Sequence, residues 1–510
     1  MRLSELVEGT GVEAVRGDAE VEIADLAYDS QRVGPGALFF CVRGMSSDGH
    51  EFAPDAVARG AAALVVEREL DLPVPQVVVS DARAAMGPLA VRFWGDPTAE
   101  LSVAGITGTN GKTTTAFLLR AILEGDGRAT GLLGTVKRIV GGCEEEVVRT
   151  TPEAIDLQAT FRRMLDGGDE ACVMEVSSHA LALGRSAGIS FDAKAFTNLT
   201  QDHLDFHSDM EDYFGAKRTL FLGGEEAGAS SPGMSAAPGT AVINIDDGYG
   251  QRLAAEVAES GRRLLTFSAS GAEADFRAED VEFDTAGTRF RCIVPEGDAI
   301  PVELPLPGHF NVENALAALA GASALGIGIE RAASALSGAD RVPGRFEPVD
   351  EGQPFTVLVD YAHTPDSLDN VLRAARLLTD GRVICVFGCG GDRDREKRPL
   401  MGRIGAELSD VCVVTSDNPR SEDPEAIIAQ ILEGVPKRDG VHVKPDRRAA
   451  IALALEVARP GDTVVIAGKG HEQGQEFEGG RKIPFDDREV AGEALRRRPR
   501  ATGRARATSA

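Results

Sequence analysis

Short apolar runs separated by stretches of helical periodicity recur along most of the chain. In the first hundred residues the runs lie at 37–42, 61–66 and 76–79, with helical patterns between them. A run at 101–106 ends in a Gly/Thr turn, and the helical pattern AFLLRAIL (116–123) follows at once. Further runs at 171–176 and 193–197 are each followed by a loop and then a helix. A last set lies at 355–361, 383–389, 411–415 and 463–467, separated by patterns such as SLDNVLRAARLL (367–378). Strands alternating with helices predict mostly parallel sheets, and the last set reads as a second doubly wound unit. No internal repeat accompanies the pattern.

At 510 residues the chain exceeds one ordinary domain, and about two to four compact units are expected. The pattern divides it into a small α/β domain at 1–98, a central mostly parallel sheet domain at 99–339 and a C-terminal Rossmann-like domain at 340–495. The stretch 222–240 (LGGEEAGASSPGMSAAPGT) is small and polar and reads as a flexible insertion. The tail 496–510 (RRRPRATGRARATSA) reads as a basic, disordered end, with an interaction arm as the alternative. A hydrophobic fraction of 43% supplies a core for each unit. No apolar run approaches the roughly 18 residues of a membrane span, and the N-terminus lacks a secretory pattern. Seven scattered cysteines without CxxC spacing fit reduced thiols in the cytosol. A net charge of −26 argues against nucleic acid as a partner.

Two constellations carry chemistry. A strand, a turn of Gly and Thr, and then Lys-Thr opening a helix is the recipe for holding a triphosphate, because backbone N–H groups and the helix N-terminus converge on the oxygens. In TGTNGKTT (107–114) Lys112 is suited to the β/γ-phosphates and the Thr113 hydroxyl to Mg²⁺. The strict spacing G-x-x-x-x-G-K-[ST] is not met, since position 106 is Ile. The alternative is an ordinary strand-to-helix turn. In the second constellation Glu175 ends the apolar run of ACVMEVSSH, and His203 in NLTQDHLDFH follows the next run. Both fall at carboxyl ends of strands beside the phosphate loop, where a Mg²⁺ ligand is needed. Alone, Glu175 could cap the next helix and His203 could be a satisfied polar residue. Lys217, in MEDYFGAKRTLF (210–221), reads as a solvated helix lysine, because an ammonium repels a metal ion.

Together TGTNGKTT, MEVSSHAL, TNLTQDHLDFH, AKRTLF, LPGHFNVENALAALA and VDYAHTPDSLDNVL resemble the Mur ligases of peptidoglycan synthesis, over nearly the whole chain except 222–240 and the tail. The resemblance is strongest to members that add the third residue of the stem peptide. It implies a cytoplasmic, monomeric ATP-dependent carbon–nitrogen ligase whose first domain binds UDP-sugar and whose central domain binds ATP and Mg²⁺. It also changes the reading of Lys217, since the matching lysine of the family is carbamylated and so becomes an anion able to bind the metal. The implied catalytic set is Lys112, Glu175, His203 and Lys217, with Thr113, Glu175, His203 and the Lys217 carbamate on the metal. ATP would lie on Gly108, Thr109, Asn110, Gly111, Lys112, Thr113 and Thr114, with Asn311 and Asn314 near the adenine and Arg345 at the hinge of the third domain.

For the acceptor substrate, UDP-MurNAc-L-Ala-D-Glu, the implied contacts are Ser30, Thr150, Thr151, Ser178 and Arg185. Leu183 stands where the family usually has Gln, so one polar contact is missing or supplied elsewhere. For meso-2,6-diaminopimelate they are Arg393, Asp417, Asn418, Pro419, Arg420, Gly468 and Glu472. Diaminopimelate exceeds lysine by one carboxylate, and an arginine offers that group a bidentate, charge-assisted pair. In isolation Arg420 would pass for a surface arginine after an Asn-Pro turn. The rival readings are a lysine-adding version of the enzyme, a folylpolyglutamate synthase and a nucleotide-gated scaffold that has lost catalysis.

Overall fold

The computed structural model describes residues 1–44, 47–223, 239–436 and 439–498. Most of the 222–240 insertion and the tail beyond 498 lie outside the described residues. Arg496 and Arg497, assigned above to a disordered tail, instead close the helix Asp487–Arg497, and Arg496 pairs with Glu351.

Three principal sheets carry the chain. The first orders its strands Ala14–Arg16, Gln76–Val78, Ala63–Val66, Ala37–Phe40 and Asp25–Ala27, parallel except for the first pair. The third orders Glu347–Pro348, Thr356–Asp360, Thr463–Ala467, Val383–Phe387, Val411–Val414 and Val441–Val443, again parallel except for the first pair. Its middle strands are buried end to end. Such apolar runs without alternation are what a parallel sheet covered on both faces requires. Helices Pro365–Leu377, Lys397–Leu408 and Pro424–Glu433 cover one face, and Arg447–Val457 and Asp487–Arg497 the other.

The second sheet has eleven strands. At its centre Ser102–Thr107 lies between Ala171–Glu175 and Ala193–Phe196, all parallel. Thr107 and Glu175 therefore end on the same edge. The sheet is longer than the apolar runs announce, because Phe276–Phe283, Thr288–Ile293 and Ala299–Leu304 add an antiparallel meander. These strands alternate buried and exposed residues, so they lack the continuous runs of the parallel strands. Two helices pack on one face, Lys112–Gly125 and His309–Ala324, the latter buried almost all round. Among the described residues no helix is long and apolar enough to cross a membrane. All seven cysteines are free thiols, and all but Cys143 are buried.

Under the third sheet Arg447 and Asp487 form a fully buried pair, with Nε and Nη2 of the arginine 2.8 and 2.6 Å from the two carboxylate oxygens. Removing one partner leaves an uncompensated buried charge. Asp487→Ala should accordingly cost about 3–5 kcal/mol, read as a lowered urea midpoint in circular dichroism; an unchanged midpoint would show that the guanidinium finds water instead.

Candidate active site

The chain leaves the strand Ser102–Thr107 and turns through Gly108 (φ 148°) and Gly111 (φ 87°) before the helix begins at Lys112. Both glycines are required by close approach. A Cβ on Gly108 would lie 1.9 Å from Thr197 Oγ1, and one on Gly111 2.3 Å from Asn314 Oδ1. The segment after the neighbouring strand holds the loop, since Thr109 N donates to Asn198 O (2.9 Å) and Asn110 N to Asn198 Oδ1 (2.8 Å). Lys112 curls back over the loop and donates to the carbonyls of Gly108 (2.9 Å) and Thr109 (2.8 Å).

Beside the loop Glu175 is buried and accepts from Thr113 Oγ1 (3.0 Å), Thr135 N (2.7 Å) and Thr135 Oγ1 (3.1 Å). It does not cap the next helix, because Ser177 does. His203 holds a left-handed backbone (φ 57°), a conformation that costs about 1–3 kcal/mol and concentrates at functional sites. Burial holds its imidazole down to about 3, so the ring is neutral at pH 7.

Lys217 is not the solvated lysine that the helical pattern suggests. The residue is 1% exposed, and Nζ lies 4.5 Å above the Tyr213 ring and 2.9 Å from the Gly108 carbonyl it donates to. The helix Met210–Leu222 turns this position inward, onto the phosphate loop. Burial, and then the Lys112 charge, push its ammonium well below the ordinary lysine range.

A cavity of about 440 Å³ runs between these groups and the third sheet. It gathers Thr109–Thr114, Glu175, His203, Lys217, Asn314 and Arg345, together with Thr150, Thr151, Ser178 and Arg185. Gly108 supports it from behind through the carbonyl shared by the two lysines. Asn311 does not line it; its Nδ2 donates to Pro307 O (2.8 Å) and its Oδ1 accepts from Asn314 Nδ2 (3.1 Å), which fixes Asn314. Arg345 reaches in from the third unit, its guanidinium 4.5 Å above the Tyr361 ring and Nη2 3.1 Å from Thr113 Oγ1.

On the opposite wall Thr151 Oγ1 donates to Glu175 O (2.9 Å), and the Oγ1 atoms of Thr150 and Thr135 are 3.0 Å apart. Ser178 Oγ is buried with no partner in the protein. Arg185 pairs with Glu153 (3.0 Å), a buried carboxylate that also takes Arg83 (2.9 Å) and Arg149 (3.1 Å). Leu183 only closes the short helix Ser178–Ala182 and does not line the cavity. Ser30 lies outside the lining as well, in a short turn after Asp29.

Asp417, Asn418, Pro419, Arg420, Gly468, Glu472 and Arg393 also lie off the cavity, at the carboxyl edge of the third sheet. Asn418 Nδ2 and Lys469 Nζ both donate to Glu472 Oε2 (2.8 and 2.9 Å), and Lys469 also reaches Asn418 Oδ1 (2.7 Å) and Asp417 Oδ1 (3.3 Å). Gly468 (φ 118°) passes so close to Asp417 that a Cβ would lie 2.7 Å from Oδ2. Arg393 is exposed, yet its charge reaches His179 in the cavity wall.

Several residues join the sites without having stood out in the sequence. Asp202, buried, faces His203 Nε2 (3.4 Å) from its own unit and Lys397 Nζ (3.4 Å) and His363 Nε2 (3.8 Å) from the other. Asn110 Nδ2 donates to Asp366 Oδ2 (2.8 Å) across the same boundary. Asp202 adjoins His203, and His363 and Asp366 lie in the DYAHTPDS segment, but only the approach of the two units reveals their roles. Among the described residues no three His, Cys, Asp or Glu side chains converge on a ready-made metal cage. The Glu175 carboxylate and the Thr113 hydroxyl offer oxygen ligands of the kind that suit a Mg²⁺ keeping several waters and taking substrate phosphate oxygens, and the neutral His203 lines the same cavity.

Comparison with known proteins matches these units to family signatures. Residues 22–93 match "Mur ligase family, catalytic domain", 106–322 "Mur ligase middle domain" and 344–470 "Mur ligase, glutamate ligase domain". A protein of Gloeobacter violaceus is 49% identical over 502 residues, covering 98% of this chain and 99% of its own. One of Geobacillus kaustophilus is 48% identical over 482 residues, covering 94% and 96%. Both are named UDP-N-acetylmuramoyl-L-alanyl-D-glutamate–2,6-diaminopimelate ligase. A solved structure of that name aligns with TM-score 0.67 and 31% identity over 97% of this chain and 99% of its own. In fold alone, the MurF ligase of Thermotoga maritima, solved with ADP, aligns with TM-score 0.62 at 21% identity, over 92% and 96%.

The tight seat of the loop generates a direct expectation. Gly111→Ala should weaken ADP binding at least about tenfold, since the added methyl must displace Asn314 at a φ that L side chains disfavour. Isothermal titration of the folded variant checks this, and unaltered affinity would show that nucleotide does not use the loop.

Proposed function

The chain belongs to the Mur ligase family, and we propose that it joins meso-2,6-diaminopimelate to the D-Glu γ-carboxylate of UDP-MurNAc-L-Ala-D-Glu at the expense of ATP, in peptidoglycan synthesis. The observation that carries this is near-full-length likeness to diaminopimelate ligases. The site chemistry supports it. A wall that carries Lys112, Arg345 and Lys217, suited to phosphate, faces a wall that ends in the unpartnered Ser178 hydroxyl and the Arg185 cluster, suited to the carboxylates of the acceptor.

In this reading ATP lies along the phosphate loop. Lys112 leaves the carbonyls of Gly108 and Thr109 for the β/γ-phosphates, and Arg345 leaves Thr113 for the same charge. Thr113, Glu175, His203 and a carbamate on Lys217 would hold Mg²⁺, which supplies neutralisation of the charge on the transferred group. The depressed basicity of Lys217 suits this, because only the neutral amine adds CO₂, releasing one proton. The γ-carboxylate attacks the γ-phosphorus and ADP leaves, giving an acyl phosphate. The amine of diaminopimelate then attacks the acyl carbon, phosphate leaves with the C–O bond electrons, and the ammonium proton is lost.

The chain's own contribution is orientation and water exclusion, which dominate phosphoryl transfer. Ser178 and Arg185 would steer the acceptor carboxylate, with Thr150 and Thr151 beside it and Ser30 on the nucleotide end. Arg420, Arg393, Asn418 and Glu472 would hold the amino acid, with Asp417, Pro419 and Gly468 shaping their loop. The groups meeting at Asp202 bring the two units together. The reading carries with it a cytoplasmic monomer that binds neither nucleic acid nor membrane.

Phosphate release with UDP-MurNAc-L-Ala-D-Glu should be strong with meso-diaminopimelate and weak with L-lysine; the reverse order would assign the lysine-adding activity. Lys217→Ala should lower kcat about 10²-fold or more, with no rescue by bicarbonate, whereas full activity would remove the carbamate from the reading. Arg420→Ala should raise KM for diaminopimelate about one to two decades, the worth of a charge-assisted hydrogen bond, against little change for ATP.

A further inference from the structure

The segment Gly474–Glu476 pairs with Lys482–Pro484 in a small hairpin outside the three principal sheets. No motif singled it out, yet it grips the loop 417–420 almost residue by residue. Gln475 Nε2 donates to Asp417 O (2.7 Å), Glu476 N to Asn418 Oδ1 (3.0 Å), and Arg420 N to Glu476 O (3.1 Å). Arg420 and Phe477 form a parallel bridge. The side chains repeat the grip, with Arg420 Nε 3.0 Å from Glu476 Oε2 and Nη1 2.8 Å from Gly391 O.

Arg420 needs holding. Its backbone is left-handed (φ 51°), which a long side chain adopts only when its surroundings impose it. A guanidinium has five N–H groups in a rigid fork. With Nε committed to Glu476 and one Nη1 hydrogen to Gly391, three N–H groups remain, both of those on Nη2 among them. That is the edge that accepts a carboxylate in a bidentate pair. Without Glu476 the side chain would regain rotamers, and ordering it on binding would weaken affinity beyond the loss of the hydrogen bond itself.

We propose that Glu476 is a positioning residue for amino-acid recognition: it fixes the Arg420 guanidinium, through backbone and side chain, with its free edge presented to the second carboxylate of diaminopimelate. This rests on the reading of Arg420 given above. Glu476 is suited to the part because its side chain is 43% exposed while that of Arg420 is 22% exposed. The carboxylate thus fixes the arginine from the solvent side without itself filling the pocket. Its charge is partly screened there, so it orients the guanidinium more than it cancels its attraction for substrate.

The test measures KM for diaminopimelate, KM for ATP and kcat in the full-length enzyme with Mg²⁺ and UDP-MurNAc-L-Ala-D-Glu. Glu476→Ala should raise KM for diaminopimelate about tenfold, with KM for ATP and kcat within about twofold. Glu476→Gln, whose amide oxygen still accepts from Nε, should return KM to within about threefold of the parent. Glu476→Ala combined with Arg420→Ala should be no worse than Arg420→Ala alone, since the first acts through the second. If Arg420→Ala raises this KM while Glu476→Ala leaves it unchanged or lowers it, the inference is overturned and the pocket stands. Equal rises in both KM values for Glu476→Ala would overturn it too, as the mark of a general structural effect. If Arg420→Ala leaves KM for diaminopimelate unchanged, the pocket itself is misassigned.

Discussion

The carbonyl oxygen of Gly108 accepts from two ammonium groups, those of the half-buried Lys112 and the buried Lys217. Two like charges on one oxygen, away from water, are costly by both desolvation and repulsion. The neighbourhood answers with Glu175 and Asp202, whose charges favour the Lys112 ammonium, Asp202 also that of Lys217. It remains a place where added negative charge is favourable. A triphosphate and a carbamate are both anions of the right kind. Anion binding on this edge of the sheet would therefore follow from how the two lysines are placed, and the Gly/Thr turn lets them come so close.

The same constraint explains why the site lies between units rather than within one. Asp202, itself buried, faces His203 from its own unit and Lys397 and His363 from the other. A buried carboxylate lacking such partners would be destabilising by several kcal/mol. Approach of the third unit thus satisfies Asp202, while Arg345 brings a further cation over Thr113. Assembly of the loop wall and docking of the third unit are coupled through one side chain, as the proposed reaction, with substrates held on different units, would require.

Much of this was legible in the sequence because it rests on local pattern. Continuous apolar runs mark the parallel strands, since a sheet covered on both faces leaves no alternation, and the end of each run locates Thr107 and Glu175 at one edge. The antiparallel strands from Phe276 to Leu304 escaped because their alternating residues form no run. Lys217 reads as solvated from its own helix, whose pattern does not tell which turn faces the loop, and only the family resemblance signals its importance. Asp202, His363, Lys397 and Glu476 gain their meaning from contacts between segments far apart in the chain, which periodicity does not encode. Glu175 was open to reading as a helix cap until Ser177 proved to fill that place.

The two halves of the site are built on opposite physical terms. In the half proposed to take nucleotide, Lys112 rests on carbonyls and Arg345 on a hydroxyl, partners that each would exchange for phosphate. Such an exchange would break no contact between secondary-structure elements and would make binding respond to charge. In the half proposed to take the amino acid the polar groups are locked to one another, from Arg420 and Glu476 through Asn418 to the buried Lys469. Such rigidity is what discrimination by one carboxylate demands. The available difference is that of a charge-assisted pair, about 1.5–3 kcal/mol, and any ordering of the arginine on binding is subtracted from it. On the proposed reading a floppy Arg420 would attract both amino acids through its charge, and a fixed one would reward only the ligand whose second carboxylate arrives where the guanidinium already points.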